Sequence, residues 1–299
     1  MTQGRSELID IGRGVRLHVR HWGDANTDAR PHLLVHGLAS NSRLWDGVAA
    51  TLAAEGRRAV AVDLRGHGPS DKPDDGYDMA SVADDVAALL GVLGWDRAVV
   101  SGQSWGANVV LELAARHPAL PVAVACVDGG TIHLAERFED FDACWEMLAP
   151  PRFRPDLTRS DLEAMMRSRN GHWPDSGIEG ALACFEVLPD GTVRPWLTRE
   201  RHRLVLAGLY DHVPLERMAA VQVPLLLIPA DTGEQAWTSD KRAAVDAALA
   251  ALPDGRAHWF SPADHDVHAQ YPREVAELLM NLADETLPDA APPEAGGRR

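Results

Sequence analysis

Short hydrophobic runs alternate with segments of helical spacing along most of the chain. The runs PHLLV, RRAVAV, AVVSG, VAVACV and VPLLLI have the length and composition of buried strands. Between them, the apolar residues Val82, Val86, Leu89 and Leu93 recur at helical intervals and predict a helix with one apolar face. Alternating strands and helices favour an α/β fold, in which helices cover both faces of a sheet.

The alternation is regular at both ends of the chain and loosens in the middle. We therefore predict an α/β core made of residues 1–130 and 221–285, interrupted by a mainly helical cap of residues 131–220. Within the cap, the stretch CFEVLPDGTVRPWL predicts a β-hairpin. Residues 286–299 are rich in proline, alanine and glycine and are predicted to be a disordered tail.

Charge and cysteine content restrict the partners and the compartment. The chain has 29 basic and 44 acidic residues, and its net charge of -15 disfavours nucleic acid and anionic membranes as partners. Cys126, Cys144 and Cys184 have no paired spacing, which favours free thiols in a reducing compartment. The sequence shows no apolar signal segment and no run of about 18 apolar residues. We expect a soluble, cytoplasmic protein, whose oligomeric state the sequence leaves open.

The stretch AVVSGQSWGA combines a strand, a tight turn and the start of a helix. Within it, Gly102, Ser104 and Gly106 fit the pattern G-x-S-x-G. The glycines of this pattern let the strand and the helix approach closely, so that the serine hydroxyl stands above the sheet edge. The N–H groups at the helix N-terminus then face any negative charge that develops there. Taken alone, the stretch fits a structural corner as well as a nucleophile.

Two further loops follow predicted strands. The run PHLLV is followed by His36, Gly37 and Leu38, and the run RRAVAV is followed by the segment DLRGHGPSDKP. Glycine after a strand lets the chain turn sharply. Asp63 and His67 in the second loop are interpreted as structural, because their side chains can hydrogen-bond the loop itself.

The motifs HGL, DLRGHGPSDKP, GQSWGA and ADHDVHAQYPREVAELL resemble those of the α/β-hydrolase superfamily in order and spacing. The resemblance covers essentially the whole predicted core, with the cap in its usual place. It implies an eight-stranded, mostly parallel sheet flanked by helices and a catalytic triad in the order serine, acid, histidine. It also implies that Ser104 is the nucleophile, that the N–H groups of Leu38 and Trp105 form the oxyanion hole, and that no metal or organic cofactor is needed.

The stretch SPADHDVHAQYP contains two candidates for the catalytic base, His265 and His268. A base must lie on a loop at the carboxyl edge of the sheet to reach the serine. His265 matches the position that the superfamily uses, whereas His268 is expected to face solvent or to pack. We therefore predict His265 as the base.

Three residues are candidates for the acid that orients the histidine. In most of the superfamily the acid follows the seventh strand, but LLLIPADTGEQ has Gly233 at that position, with Asp231 too early and Glu234 one residue late. The sixth strand ends in CVDGG, and a minority of the superfamily carries the acid there. We predict Asp128 and keep Glu234 and Asp231 as alternatives.

The aromatic residues of the predicted cap indicate an apolar substrate. Trp145, Trp173, Trp196 and Phe185 are the candidates for lining the substrate pocket. Cys126 and Cys144 are interpreted as buried packing residues rather than nucleophiles.

Together these observations predict a serine hydrolase that acts on a small hydrophobic ester or lactone through an acyl-enzyme. The stretch GQSWGA also resembles the corresponding turn of haloalkane dehalogenases and epoxide hydrolases, but those enzymes have an aspartate nucleophile where this chain has Ser104. The alternatives are a carbon–carbon bond hydrolase, a proline-iminopeptidase-like amidase, and a receptor-like protein that binds a ligand with little turnover. The first two usually carry an oxyanion loop that differs from HGLAS.

Overall fold

The hydrophobic runs form the strands of one sheet. The computed structural model describes residues 4–233 and 235–286. The strands in these residues are β1 (Arg5–Asp10), β2 (Arg16–Trp22), β3 (His32–Val35), β4 (Ala59–Asp63), β5 (Ala98–Gln103), β6 (Pro121–Val127), β7 (Phe185–Val187), β8 (Val193–Pro195), β9 (Leu225–Ile228) and β10 (Gly255–Ala257). Eight of them pair in the order β1-β2-β4-β3-β5-β6-β9-β10.

Most neighbours in the sheet run parallel. β1 is antiparallel to β2 and β2 is antiparallel to β4, whereas the pairs from β4 through β3, β5, β6 and β9 to β10 are parallel. The carboxyl ends of parallel strands meet at the same edge of a sheet. At this edge β3 is followed by His36, β5 by Ser104 and β6 by Asp128.

Helices connect the strands and cover the sheet. Their bounds are α1 (Asp46–Ala54), α2 (Met79–Val92), α3 (Trp105–Arg116), α4 (Leu134–Arg137), α5 (Phe141–Leu148), α6 (Arg159–Arg169), α7 (Asp175–Leu182), α8 (Arg199–Tyr210), α9 (Pro214–Ala220), α10 (Gln235–Ala251), α11 (Val267–Gln270) and α12 (Pro272–Asp284). The predicted helix with apolar residues at Val82, Val86 and Leu89 is α2, which begins after an Asp78 side chain that accepts a hydrogen bond from the Ser81 N–H.

Each face of the sheet has its own hydrophobic core. Leu33 and Val35 of β3 lie in a cluster with apolar residues of α2, α3 and α10, whereas Leu34 lies in a second cluster with residues of α1 and α12. Successive side chains of a strand point to opposite faces, so one short buried strand contributes to both cores. The predicted fold class, an α/β fold with an eight-stranded, mostly parallel sheet covered by helices, is confirmed.

Residues 131–220 contribute no strand to this sheet. They form α4 to α9 together with the antiparallel pair β7-β8, which is the predicted hairpin. A small cluster of Leu157, Leu162 and Ile178 packs inside this segment. The division of the chain into a core and a cap stays a prediction, and we use the word cap for residues 131–220 below.

Two predictions concern features beyond the sheet. Within the described residues, none of the helices is long and apolar enough to cross a membrane. Of the predicted disordered tail, residues 287–299 lie outside the described residues.

Candidate active site

Ser104 lies on a strained turn between β5 and α3. Its backbone has φ 53° and ψ -119°, a conformation that residues other than glycine rarely adopt. A Cβ on Gly106 would lie 2.5 Å from the carbonyl oxygen of His36, and a Cβ on Gly102 would overlap the backbone of Gly106. The two glycines therefore allow β5, α3 and the loop after β3 to meet around the serine.

His265 and Asp128 are joined by a short hydrogen bond. The distance from His265 Nδ1 to Asp128 Oδ2 is 2.6 Å. Asp128 directly follows β6, and its side chain is 3% exposed, whereas that of His265 is 56% exposed. Because Asp128 occupies Nδ1, the opposite ring nitrogen, Nε2, is available to another group. The main chain of His265 is held by Gln103, whose Nε2 donates to its carbonyl oxygen at 3.3 Å.

Ser104 and His265 line the same cavity, which has a volume of about 440 Å³. The surface of its lining is mainly apolar by area, and its charged residues are Arg169, Asp264 and Asp266. The residues that line it are Leu38, Ala39, Ser40, Leu44, Gln103, Ser104, Met166, Arg169, Asn170, Trp173, Ala181, Cys184, Phe185, Asp264, His265 and Asp266. The cavity therefore lies between the carboxyl edge of the sheet and residues of the cap.

The surroundings shift the pKa values of both members of the hydrogen-bonded pair. Burial acts to raise the pKa of Asp128, but the hydrogen bond and charge of His265 and the Lys241 ammonium outweigh burial and lower the net pKa. Neighbouring protein atoms displace part of the water around His265, which acts to lower its pKa, but the hydrogen bond and charge of Asp128 reverse this and raise the net pKa. The pair thus favours an ionised carboxylate that stabilises a protonated imidazole.

The predicted oxyanion-hole residues lie beside the serine. Trp105 is the first residue of α3, where a backbone N–H has no carbonyl partner within the helix. Leu38 follows Gly37, on which a Cβ would lie 3.0 Å from the Cβ of Ser104. The N–H of Ala39 donates to His67 Nε2 at 3.3 Å, which holds this loop in place. The roles of the Leu38 and Trp105 N–H groups stay predictions.

Asp63 also fixes the loop that carries Leu38. Its side chain accepts hydrogen bonds from the N–H of Ser42 at 2.6 Å and from His18 Nδ1 at 2.7 Å. Asp63 is 1% exposed and His67 is 1% exposed, so both act inside the protein. These contacts agree with the structural interpretation of the two residues.

The alternative triad residues lie in other surroundings. Asp231 accepts hydrogen bonds from Thr238 Oγ1 at 2.6 Å and from the Gly233 N–H at 2.8 Å, so it organises its own loop. His268 is fully buried, with its ring centroid 4.3 Å from that of Trp45, and burial lowers its pKa to about 3. Glu234, the other alternative acid, lies outside the described residues.

Two of the four predicted pocket residues line the cavity and two lie elsewhere. Trp173 and Phe185 belong to the lining. Trp145 instead packs against His202, with ring centroids 6.0 Å apart, and the ring of Trp196 lies 4.9 Å from Lys72 Nζ. Trp145 and Trp196 are thus not among the residues that line this cavity in the described part of the chain, and both rings contact neighbouring side chains.

The sequence reasoning missed Lys241 and the charged lining of the cavity. Lys241 Nζ lies 2.7 Å from Asp128 Oδ1. Asp264 accepts hydrogen bonds from His172 Nε2 and Trp173 Nε1, both at 2.7 Å. A buried carboxylate needs a partner for each oxygen, which predicts a donor beside Asp128 but does not identify Lys241. Among the residues that the structure describes, no group of three or more His, Cys, Asp or Glu side chains is arranged to hold a metal ion.

Comparison with known proteins finds hydrolases that match most of the chain. A family model described as "Alpha/beta hydrolase family" matches residues 33–278. The 2-(acetamidomethylene)succinate hydrolase of Mesorhizobium japonicum is 28% identical over 284 residues, which is 93% of this chain and 95% of that protein.

Solved structures agree with this match. The crystal structure of an E-2-(acetamidomethylene)succinate hydrolase aligns with a TM-score of 0.70 at 26% identity, over 94% of this chain and 99% of that one. The enol-lactonase from Burkholderia xenovorans aligns with a TM-score of 0.67 at 20% identity, over 91% of this chain and 98% of that one. The second likeness concerns the fold alone.

Proposed function

The chain belongs to the alpha/beta hydrolase family, and on this premise we propose that it is a serine hydrolase that cleaves a carboxylic ester or lactone. The observation that carries the proposal is the hydrogen bond of 2.6 Å between His265 and Asp128 at the cavity that also contains Ser104. A nucleophile, a base and an acid on three loops at one sheet edge are the parts that acyl transfer requires.

In the first half of the proposed reaction, Ser104 Oγ attacks the carbonyl carbon and His265 Nε2 takes its proton. The carbonyl π electrons move to oxygen, and the N–H groups of Leu38 and Trp105 stabilise the resulting oxyanion. The imidazolium, stabilised by the Asp128 carboxylate, then gives its proton to the leaving alkoxide. The C–O bond breaks, and the acyl group stays on Ser104.

In the second half, the same steps occur with a water molecule as the nucleophile. His265 removes a proton from the water as its oxygen attacks the acyl carbon, and a second oxyanion forms at the same N–H groups. The proton then passes to Ser104 Oγ as the acyl–serine bond breaks. A lactone differs in one respect, because its leaving hydroxyl stays attached to the acyl group and leaves with it as a hydroxy acid.

The lining of the cavity supports a largely hydrophobic substrate. Leu44, Met166, Trp173 and Phe185 are among its apolar residues. The similar hydrolase is named for a substituted succinate, a dicarboxylate. Among the described lining residues of this chain, Arg169 is the one basic side chain besides His265, and it faces a cavity that also contains two aspartates. This charge balance favours an uncharged ester over a dicarboxylate.

The free thiols bear on the compartment. Cys126, Cys144 and Cys184 are unpaired cysteines, and a protein with free thiols suits a reducing environment. The proposed enzyme is accordingly a cytoplasmic carboxylic ester hydrolase.

A fluorophosphonate probe and a substrate panel test the proposal. The probe is expected to label Ser104 in the wild type and to leave Ser104→Ala unlabelled, because it reacts with an activated serine. The panel consists of acetyl, butyryl and octanoyl p-nitrophenyl esters, aliphatic lactones and the matching p-nitroanilides, each measured with both proteins. Circular dichroism confirms that the variant is folded.

We expect hydrolysis of the longer esters or of lactones that falls by at least about 10³-fold in Ser104→Ala. Hydrolysis of anilides in preference to esters would instead support the amidase alternative. A folded wild type that is not labelled at Ser104 and hydrolyses none of the panel would contradict the proposal and favour a ligand-binding protein.

A further inference from the structure

The two carboxylate oxygens of Asp128 have different partners. Oδ2 accepts the hydrogen bond from His265 Nδ1. Oδ1 accepts one from Lys241 Nζ at 2.7 Å and another from the Ala230 N–H at 2.9 Å. We propose that Lys241 is a positioning residue of the triad, which fixes the Asp128 carboxylate toward His265 and neutralises part of the charge that the imidazole experiences. This inference rests on the function proposed above.

Lys241 is itself fixed by the same stretch of backbone that holds the acid. Its Nζ donates a second hydrogen bond, 2.7 Å long, to the carbonyl oxygen of Ala230. Ala230 therefore donates to Asp128 through its N–H and accepts from Lys241 through its C=O. This closed arrangement restrains rotation of the carboxylate, because turning it would break two hydrogen bonds to Oδ1 as well as the one to His265.

The position of Lys241 in the fold explains how the acid can follow β6. In most of the superfamily that this chain resembles, the acid lies after the strand that corresponds to β9. Here the segment after β9 leads into α10, which supplies a cation. The carboxylate comes from β6 instead, and the two side chains meet at the end of both strands, which are neighbours in the sheet.

Burial gives this ion pair its influence. The Asp128 side chain is 3% exposed and that of Lys241 is 21% exposed, so water screens their charges weakly. A carboxylate with a neutral imidazole as its sole partner would be a buried uncompensated charge. The ammonium group offsets that charge, and its field also acts to lower the pKa of His265, against the larger effect of Asp128. Lys241 therefore keeps more of the imidazole in the neutral, basic form at mildly acidic pH.

Other charged or titratable groups surround His265. Besides Asp128 and Lys241, the groups near it are Asp264 and Asp266 on its own loop, Arg169 across the cavity and His268 on α11. The charge of Asp266 acts to raise the pKa of His265, in the opposite sense to Lys241. A change at Lys241 alone leaves all of these groups in place, so a shift in the titration of His265 reports on Lys241.

The experiment compares Lys241→Met with Lys241→Arg and a matched control. Methionine keeps the length of the side chain and removes its charge, whereas arginine keeps the charge. Arg242→Met removes the next cation on α10, whose guanidinium lies 3.5 Å from Asp231 and 4.5 Å from the ring centroid of Trp259. Two quantities are measured for each folded protein: the pKa of His265 by NMR, and kcat/KM for the best ester as a function of pH.

In Lys241→Met, we expect the pKa of His265 and the acid limb of kcat/KM to move up together by about half to one unit. Activity then falls roughly three- to tenfold near pH 6 and less at higher pH, because more of the base is protonated. Lys241→Arg restores most of the wild-type profile, and Arg242→Met leaves it unchanged.

An unchanged His265 titration in folded Lys241→Met would overturn the proposal, as would a loss of activity that is equal at every pH, which indicates a structural role only. The NMR titration requires no turnover. If the wild type hydrolyses no ester or lactone, the proposed function fails, and the titration still decides whether Lys241 acts on the histidine.

Discussion

Asp128 has a backbone conformation that few residues other than glycine adopt, with φ 42°. Ser104 and Ala39 are the other non-glycine residues with positive φ in the part of the chain that the structure describes. All three lie on the loops around the cavity, two as proposed members of the triad and one in the loop after β3. Strain of this kind persists only where the surrounding structure fixes the backbone, as the glycine contacts and hydrogen bonds of these loops do.

The identity of the acid is tested by a pair of isosteric substitutions. Asp128→Asn is expected to lower kcat by about 10³-fold or more, because an amide does not stabilise the imidazolium and favours the wrong tautomer of His265. Asp231→Asn serves as the control, since Asp231 bonds to Thr238 and Gly233 instead of the histidine. Steady-state kinetics of both folded variants measure the difference. A large loss in Asp231→Asn with little change in Asp128→Asn would move the acid to the loop after β9.

The residues of the site differ in how far the sequence predicts them. The turn at Ser104 is predicted by a local pattern of five adjacent residues, whereas its role as a nucleophile is predicted only by the resemblance of the other motifs to the superfamily. Asp128 and Lys241 are 113 positions apart, and their contact depends on β6 and β9 becoming neighbours in the sheet. Hydrophobic periodicity contains no information about such a pair. The sequence therefore leaves three candidates for the acid and does not predict Lys241 as its partner.

At the scale of elements, the packing of β5, α3 and the loop after β3 depends on glycines. A Cβ on Gly106 would lie 2.5 Å and 2.6 Å from the carbonyl oxygens of His36 and Val35. These oxygens belong to the backbone of a fully buried strand end and cannot move aside without disturbing the sheet. The turn at Ser104 therefore fits only because β5, α3 and the loop after β3 approach each other at positions occupied by glycine.

Two glycine substitutions test this packing. Gly106→Ala is expected to lower the free energy of unfolding by more than about 2 kcal/mol, because the added methyl group overlaps backbone atoms. Gly91→Ala is the matched control in α2, where a Cβ would meet no atom within 4 Å. It is expected to change stability by about 1 kcal/mol or less, in the stabilising direction. Urea unfolding measures both values, and equal effects would contradict the packing argument.

Elements also show where sequence patterns are sufficient and where they are not. Five adjacent strands of the sheet, β4, β3, β5, β6 and β9, are predicted by hydrophobic runs, and α2 is predicted by apolar spacing, since burial determines those patterns. Trp145 and Trp196 were predicted to line the pocket, yet they pack on His202 and Lys72. Trp145 lies on α5 and Trp196 directly after β8. The direction of a side chain in the cap depends on neighbours distant in sequence, and no local pattern specifies it.

At the scale of the whole molecule, buried histidines link stability to pH. Burial lowers the pKa of His32 to about 4, that of His202 to about 4 and that of His268 to about 3. In the unfolded chain these imidazoles have pKa values near about 6.5. Below that value the unfolded chain binds protons that the folded protein excludes, so stability decreases as pH falls from about 6.5 toward 4.

Thermal unfolding of the wild type at neutral pH and near pH 5 tests this linkage. Each of the three histidines is expected to reduce the free energy of unfolding by about 2 kcal/mol near pH 5. His32→Leu removes one of them from a fully buried position in β3 and is expected to show a smaller loss of stability on acidification. An acid-induced loss as large in His32→Leu as in the wild type would assign the effect to other groups.

The positive φ at Ser104 also creates a conflict between the stability of the fold and the proposed catalytic activity. Glycine adopts this conformation without steric cost, so Ser104→Gly would relieve strain of roughly 1–3 kcal/mol while it removes the nucleophile. The same trade applies at Asp128. A library of variants selected for heat resistance alone would therefore accumulate glycine at the positions that carry the proposed chemistry. A selection that also demands turnover would retain serine and aspartate there, at a lower melting temperature.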